Sequence, residues 1–280
     1  MNAVKKYIVA LKNHISLSSV NKIIKADGEL AEIWELSKKH YPDFKNHFAN
    51  EVVSEEVEAR IRLLVVKEVS FIKEVISNLL NVKPHVSYAD VGDSDGSVQL
   101  ILREFFQDSQ LSSVGINMQK QAVKKIEQLG LDAIWADAID LAKQDISYDV
   151  ISLFETFEHL SDPIGFLNNI RGIVKENLVV SVPFVRKSRI GLGYLSDSWP
   201  EAIKPTIENQ HIFELSPVDW TKLFLHSGWR VNSEIKLLMY PKKSLYRLVL
   251  EPYWRRISFD GFWFASLVKD ETYSSKYGVE

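Results

Sequence analysis

Seven residues of this 280-residue chain, Asp90-Val91-Gly92-Asp93-Ser94-Asp95-Gly96, gather three carboxylates and two glycines in one short stretch. The apolar run from Val86 that ends in Asp90 reads as a first strand delivering a backbone loop to a ligand. Gly92 and Gly96 permit positive φ and close backbone approach, which a loop curling under a nucleotide between a strand and a helix requires. A pyrophosphate loop has the spacing G-x-G-x-x-G and holds its anion on backbone amides and a helix N-terminus. Here the spacing is G-x-x-x-G, and Asp90, Asp93 and Asp95 would repel phosphates. The same carboxylates favour a ligand bearing a sulfonium and an ammonium, which disfavours NAD and ATP. Taken alone, the loop reads equally well as an ordinary acidic turn between core elements.

The elements that must position this loop change character along the chain. Residues 1–82 carry helical patterns and few strand signals. From Ser54 to Leu80, Ile61, Leu64, Val65, Val69, Ile72, Val75, Ile76, Leu79 and Leu80 recur at spacings of three and four, forming one apolar stripe. Glu55, Glu56 and Glu58 suit the positive end of that helix, and Lys83-Pro84 ends it. From Val86 onward, short β-branched runs alternate with helices, the pattern of a parallel sheet. The pattern predicts strands near 86–90, 113–117, 132–135, 148–153, 177–182, 229–238 and 262–268. Helices are predicted near 96–106, 119–129, 163–175 and 217–227. The fold class expected is α/β, a doubly wound, mostly parallel seven-stranded sheet with an N-terminal helical region.

Further motifs follow the loop in order. Val114-Gly115-Ile116-Asn117 ends the second strand and Trp135-Ala136-Asp137-Ala138 follows the third. The fourth leads into Tyr148-Asp149-Val150-Ile151-Ser152-Leu153-Phe154-Glu155-Thr156-Phe157-Glu158-His159-Leu160, and Asn177-Leu178-Val179-Val180-Ser181-Val182-Pro183 forms the fifth. His211-Ile212-Phe213-Glu214-Leu215-Ser216 and Ser227-Gly228-Trp229-Arg230-Val231 close the series. In order and spacing, from about Val82 to Val231, the chain resembles class I S-adenosylmethionine-dependent methyltransferases, particularly the ubiquinone-pathway and the sugar or natural-product O-methyltransferases. The resemblance implies a Rossmann-like methyltransferase fold with S-adenosyl-L-methionine as cofactor. It assigns Asp90, Gly92, Ser94 and Gly96 to the methionine end, Asn117 to the ribose, Asp137 and Ala138 to the adenine, and Phe154 to the crevice at the end of the fourth strand. Ser94 replaces the family's middle glycine, which costs roughly 1 to 2 kcal/mol if the fold demands positive φ there. Asn117 stands where an acidic residue is usual, and the lost charge assistance is on the order of 1 kcal/mol, roughly fivefold to tenfold in affinity. Asp137 has a second reading, the N-cap of a helix over Ile139-Asp140-Leu141. Trp229 replaces the usual Phe, a change that a buried wall should accept.

Methyl transfer is a single in-line displacement, so the protein must orient an acceptor, exclude water and, for an oxygen acceptor, provide a proton sink. By family position the candidate catalytic residues are His211, His159 and Glu155, with Glu158 beside them. His211 is preferred because it closes the long 184–210 connection. His159 also reads as a structural histidine packed beside the fourth strand. The E-x-x-E-H letters with a distant histidine are similar to the two-Glu, two-His divalent-metal site of the small-RNA 2′-O-methyltransferases and of some ubiquinone-pathway members. Oxygen and imidazole ligands suit Mg²⁺, Mn²⁺ or Zn²⁺. The same letters occur in many relatives with no known metal, and a divalent metal is the less favoured reading.

Composition narrows the remainder. With 46% hydrophobic residues the chain can bury a full core, and a formal net charge of -3 gives no global pull toward nucleic acid. The absence of cysteine excludes disulfide frameworks, thiolate zinc sites and cysteine nucleophiles. The apolar run Tyr7 to Leu11 is cut short by Lys12, Asn13 and His14, too early for a signal peptide, and no segment is apolar enough to span a bilayer. The expected location is therefore cytoplasmic. The expected division is a helical region over 1–82, serving as acceptor wall or homodimer contact, and a methyltransferase domain over 83–280 with insertions near 184–210 and 239–261. The second insertion interleaves Lys242, Lys243, Arg247, Arg255 and Arg256 with Tyr240, Tyr246, Tyr253 and Trp254. That mixture is compatible with contact to a phosphate-bearing or lipid-linked acceptor or peripheral contact at an anionic membrane, but the favoured reading is an amphipathic helix packed on the domain with its charges solvated. The activity expected is O-methylation of a small molecule or a sugar or glycan acceptor. The alternatives are a catalytically weak, methyltransferase-like binding or scaffold protein and, less favoured, an RNA 2′-O-methyltransferase with salt-dependent RNA binding.

Overall fold

The β-branched runs of the sequence become the strands of one sheet in the computed structural model, which describes residues 17–41, 55–143, 146–190, 211–238 and 260–277. The strands are β1 (Val86–Val91), β2 (Leu111–Asn117), β3 (Asp132–Trp135), β4 (Tyr148–Phe154), β5 (Val174–Phe184), β6 (Arg189–Ile190), β7 (Phe213–Glu214), β8 (Trp229–Leu238) and β9 (Gly261–Lys269). Seven of them form a sheet in the order β3-β2-β1-β4-β5-β9-β8, while β6 and β7 pair as a separate ribbon. β1 to β5 run parallel, and β9 is antiparallel to both β5 and β8. The sheet is thus doubly wound and mostly parallel, as the alternation of strands and helices predicts. Strand order reverses at β1 and β4, and ligands of such sheets lie in the crevice outside the strand C-termini at that point.

After a helical stretch over 17–25, the helices are α1 (Gly28–His40), α2 (Glu55–Leu80), α3 (Ser97–Leu102), α4 (Lys120–Gln128), α5 (Pro163–Ile170) and α6 (Pro217–His226). On one face of the sheet, α5 and α6 close over Phe157, Phe166, Trp220, Phe224, Trp229 and Trp263. On the other, α1, α2 and α3 bury Leu30, Ile33, Val66, Ile72, Ile76, Ile101 and Phe264. Trp263 and Phe264 enter opposite layers because successive strand residues point to opposite faces. Trp229 is fully buried, and its indole N–H donates to the Leu167 carbonyl at 3.1 Å, so the larger ring finds a polar partner as well as space.

Differences from the expected elements have local causes. The α5 helix stops at Ile170 instead of running to 175, because Val174 already pairs with Tyr148 as the first residue of an eleven-residue β5. The helix expected over 96–106 ends at Leu102. The two-residue strands β6 and β7 lie within stretches too short to show periodicity. The α2 helix matches its predicted span but buries more than the predicted stripe: Leu63, Val66 and Phe71 are buried too, since α1 covers a second side of it. Arg62, also buried there, donates to the carbonyls of Ser37 and Tyr41 and to Glu58. Most of the two insertions, 191–210 and 239–259, lies outside the described residues. Among the described residues no helix is long and apolar enough to cross a membrane.

Candidate active site

The acidic loop joins β1 to α3 at the C-terminal edge of the sheet. Gly92 and Gly96 have φ of +93° and +76°, and a Cβ on Gly92 would stand 2.1 Å from Thr156 Oγ1. Ser94 is not among the described residues with positive φ, so its backbone bears none of the left-handed strain that the lost glycine would imply. The three carboxylates have separate jobs. Asp93 folds back into the turn, where Oδ1 accepts from the backbone N–H groups of Asp95 and Gly96, and Oδ2 accepts from Gln99 Nε2. Asp95 Oδ1 accepts from the Ser97 N–H at 2.8 Å. Asp90 lies beneath the loop, 4% exposed, accepting from Ser152 Oγ at 2.7 Å. Burial, and then the neighbouring Asp93, push the Asp90 carboxyl well above the usual aspartate range. A cationic ligand opposite the loop would reverse the repulsion between these carboxylates, which fits a sulfonium and an ammonium.

Asn117, at the end of β2, is partly committed to the loop: its Nδ2 donates to the Asp93 carbonyl at 2.8 Å and its Oδ1 accepts from the Gln119 N–H at 2.7 Å. These two bonds leave one amide hydrogen and one oxygen lone pair of the side chain uncommitted by them. Asp137 heads a short 3₁₀ turn over Ala138–Lys143 and accepts from the Ile139 N–H, the capping geometry of its second reading. Ala138 is half-buried against the core, and Phe154 is half-buried at the end of β4.

Beyond Phe154 the chain turns sharply. Glu155 has φ of +48°, the left-handed region that a side chain with a Cβ seldom adopts, and its N–H donates to the carbonyl and hydroxyl of Ser181 on β5. Thr156 packs against Gly92, and the 3₁₀ turn Phe157–His159 follows, so the acidic loop and the Glu158-His159 pair adjoin. The ring of His211 meets His159 edge-on with centroids 5.1 Å apart. Donor atoms of Glu158, His159 and His211 all lie within 4.8 Å of one another, a carboxylate and two imidazoles of a kind that suits a divalent cation. Glu155 is turned elsewhere, its Oε1 accepting from Ser181 Oγ. Three of the four residues in the metal-site resemblance are therefore brought together. Glu158 is fully buried with no hydrogen-bond partner for either carboxylate oxygen among the described residues, and its carboxyl is pushed up to about 7 by burial, against the attraction of His211.

Several residues enter this region that sequence reasoning did not single out. Glu68 of α2 is 5% exposed and reaches the end of β5, where Ser181 Oγ lies 2.9 Å from its Oε1. Its signal was present in the sequence: Leu64, Glu68 and Ile72 share one helical face, so a carboxylate interrupts the apolar stripe. Tyr41 donates its hydroxyl hydrogen to the Asp95 carbonyl at 2.8 Å, tying the N-terminal region to the loop. Glu214 of β7 sits 3.1 Å from His211 Nδ1 and pairs with Arg189 of β6.

A family model described as "Methyltransferase domain" matches residues 69–234, more than half of the chain. The chain belongs to that family. It is an S-adenosylmethionine-dependent methyltransferase of class I. No curated protein matches it. Among solved structures, this methyltransferase is similar to the magnesium protoporphyrin IX methyltransferase of Synechocystis PCC 6803 with bound SAH, at TM-score 0.53 and 12% identity, covering 84% of this chain and 96% of that one. It is also similar to an O-methyltransferase from a trans-AT PKS multienzyme of Brevibacillus brevis in complex with S-adenosyl-L-homocysteine, at TM-score 0.52 and 16% identity over 78% and 76% of the two chains. A third, the [4+2]-cyclase SpnF, has TM-score 0.51 and 13% identity over 79% and 86%. Identities this low establish the shared fold, and one fold hosts several chemistries.

Proposed function

We propose that this methyltransferase methylates a hydroxyl oxygen of a small molecule or glycan, with His211 as the proton acceptor. S-adenosylmethionine, when bound, supplies the electrophilic methyl group. The residues that would hold it are Asp90 and the Gly92–Gly96 turn for the methionine end, Asn117 for the ribose, and Asp137 and Ala138 for the adenine. His211 Nε2 takes up the proton that the acceptor hydroxyl loses as the new O–CH₃ bond forms, with His159 and Glu158 beside it. The observation that carries this reading is the pair of imidazoles, 5.1 Å apart, set next to the cofactor loop through Thr156. The test is calorimetry with S-adenosylmethionine, S-adenosylhomocysteine and NAD, followed by methyl transfer to a panel of hydroxylated acceptors. Both sulfur compounds should bind and NAD should not. His211→Ala should lower kcat roughly 10²- to 10⁴-fold with cofactor affinity unchanged. No response to either sulfur compound would sink the proposal.

A further inference from the structure

The β6–β7 ribbon sets Arg189 directly opposite Glu214. Glu214 has no solvent exposure, and its two oxygens are divided between two partners. Oε2 accepts from Arg189 Nε at 2.5 Å, and Oε1 faces His211 Nδ1 at 3.1 Å. Burial works to raise the Glu214 carboxyl, but hydrogen bonds from His211 and Arg189 and the charge of Arg189 outweigh it and hold the group below the usual glutamate range. An ionised carboxylate only accepts, so Nδ1 of His211 must donate, and the lone pair of the neutral ring then lies on Nε2. The surroundings hold the turn in place. The Ile212 N–H donates to the Glu158 carbonyl at 2.9 Å, while Ser188 Oγ accepts from the Ser216 N–H and donates to Asp219, tying the two strands together at one end of the ribbon.

The geometry points to Glu214 as a positioning residue that sets the tautomer of His211 and thereby presents Nε2 to the acceptor, with Arg189 holding Glu214 in register. The inference rests on the reading of His211 as the base. Glu214, buried behind the imidazole, acts through it, as the carboxylate behind a catalytic histidine does.

The decisive variant is Glu214→Gln, which keeps the shape of the side chain but offers one oxygen instead of two. Arg189 has only donors and claims that oxygen, so the amide NH₂ faces His211 and Nδ1 must accept. The ring hydrogen then moves to Nε2. ¹⁵N spectra of His211, recorded where the imidazole is neutral and assigned against His211→Ala, should switch from the Nδ1–H to the Nε2–H pattern. The kcat should fall about 10- to 100-fold while KM stays within about twofold. The double variant Arg189→Leu, Glu214→Gln frees the amide to turn its oxygen to His211, which should restore the Nδ1–H pattern and part of kcat. An unchanged ring spectrum in Glu214→Gln, or a switched spectrum with undiminished kcat, overturns the assignment. The spectrum can be read in the absence of methyl transfer, so failure of the proposed function and failure of this inference are separable.

Discussion

Replacing Glu68 by Gln should stabilise the protein increasingly as pH rises, and the structure sets the size of the effect. Ser181 Oγ lies 2.9 Å from Glu68 Oε1 and 3.0 Å from Glu155 Oε1. One hydroxyl hydrogen can serve only one of these carboxyls, so the pair is satisfied best when one of them keeps a proton. Burial pushes Glu68 up to about 8, against the hydrogen bond from Ser181 and reinforced by Glu158 and Asp95, from an ordinary value of 4.5. Between those values the unfolded chain has released the proton and the folded chain retains it. Stability from this group is therefore complete below about 4.5 and lost as pH rises through about 8. From pH 6 to pH 9 the loss spans about two pKa units at about 1.36 kcal/mol each, or about 3 kcal/mol. Glutamine cannot ionise, so the advantage of Glu68→Gln over wild type should grow by that amount across the interval. Urea unfolding followed by tryptophan fluorescence at both pH values reads it directly, with the m-value checked for constancy. A stability difference between variant and wild type that is the same at pH 6 and pH 9 would refute the reasoning.

Three further outcomes follow from the site. Gly92→Ala places a methyl group 2.1 Å from Thr156 Oγ1 on a backbone with φ +93°, so calorimetry should show S-adenosylhomocysteine binding at least about tenfold weaker; unchanged affinity would remove the loop from the cofactor site. Tyr41→Phe deletes one buried hydrogen bond to the Asp95 carbonyl, about 1 kcal/mol, and should weaken the same ligand about fivefold; equal affinity would uncouple the N-terminal region from the loop. Methyl transfer should survive chelation by EDTA. Activity lost on chelation and restored by Mg²⁺ or Mn²⁺ would instead assign Glu158, His159 and His211 to a metal.

Much of the fold and part of the site could be read locally. The α2 stripe, the β-branched strands and the Gly92–Gly96 turn are legible because hydrophobic period and glycine placement act over a few neighbouring residues. The loop's acidity was legible in the same way, though not how Asp93 spends its oxygens on the turn's own amides. Glu68 left a trace, a carboxylate among Leu64 and Ile72, but the trace named no partner.

The sequence by itself determined the element types, the glycine-bounded acidic turn after β1 and the family motifs, since each depends on residues close along the chain. Only the tertiary structure decided that β9 enters antiparallel between β5 and β8, that Glu68 meets Ser181 across 113 residues, and that Arg189 and Glu214 pair behind His211. Periodicity says which face of an element is apolar, whereas the choice of what that face and its buried charges meet is made by packing all the elements at once.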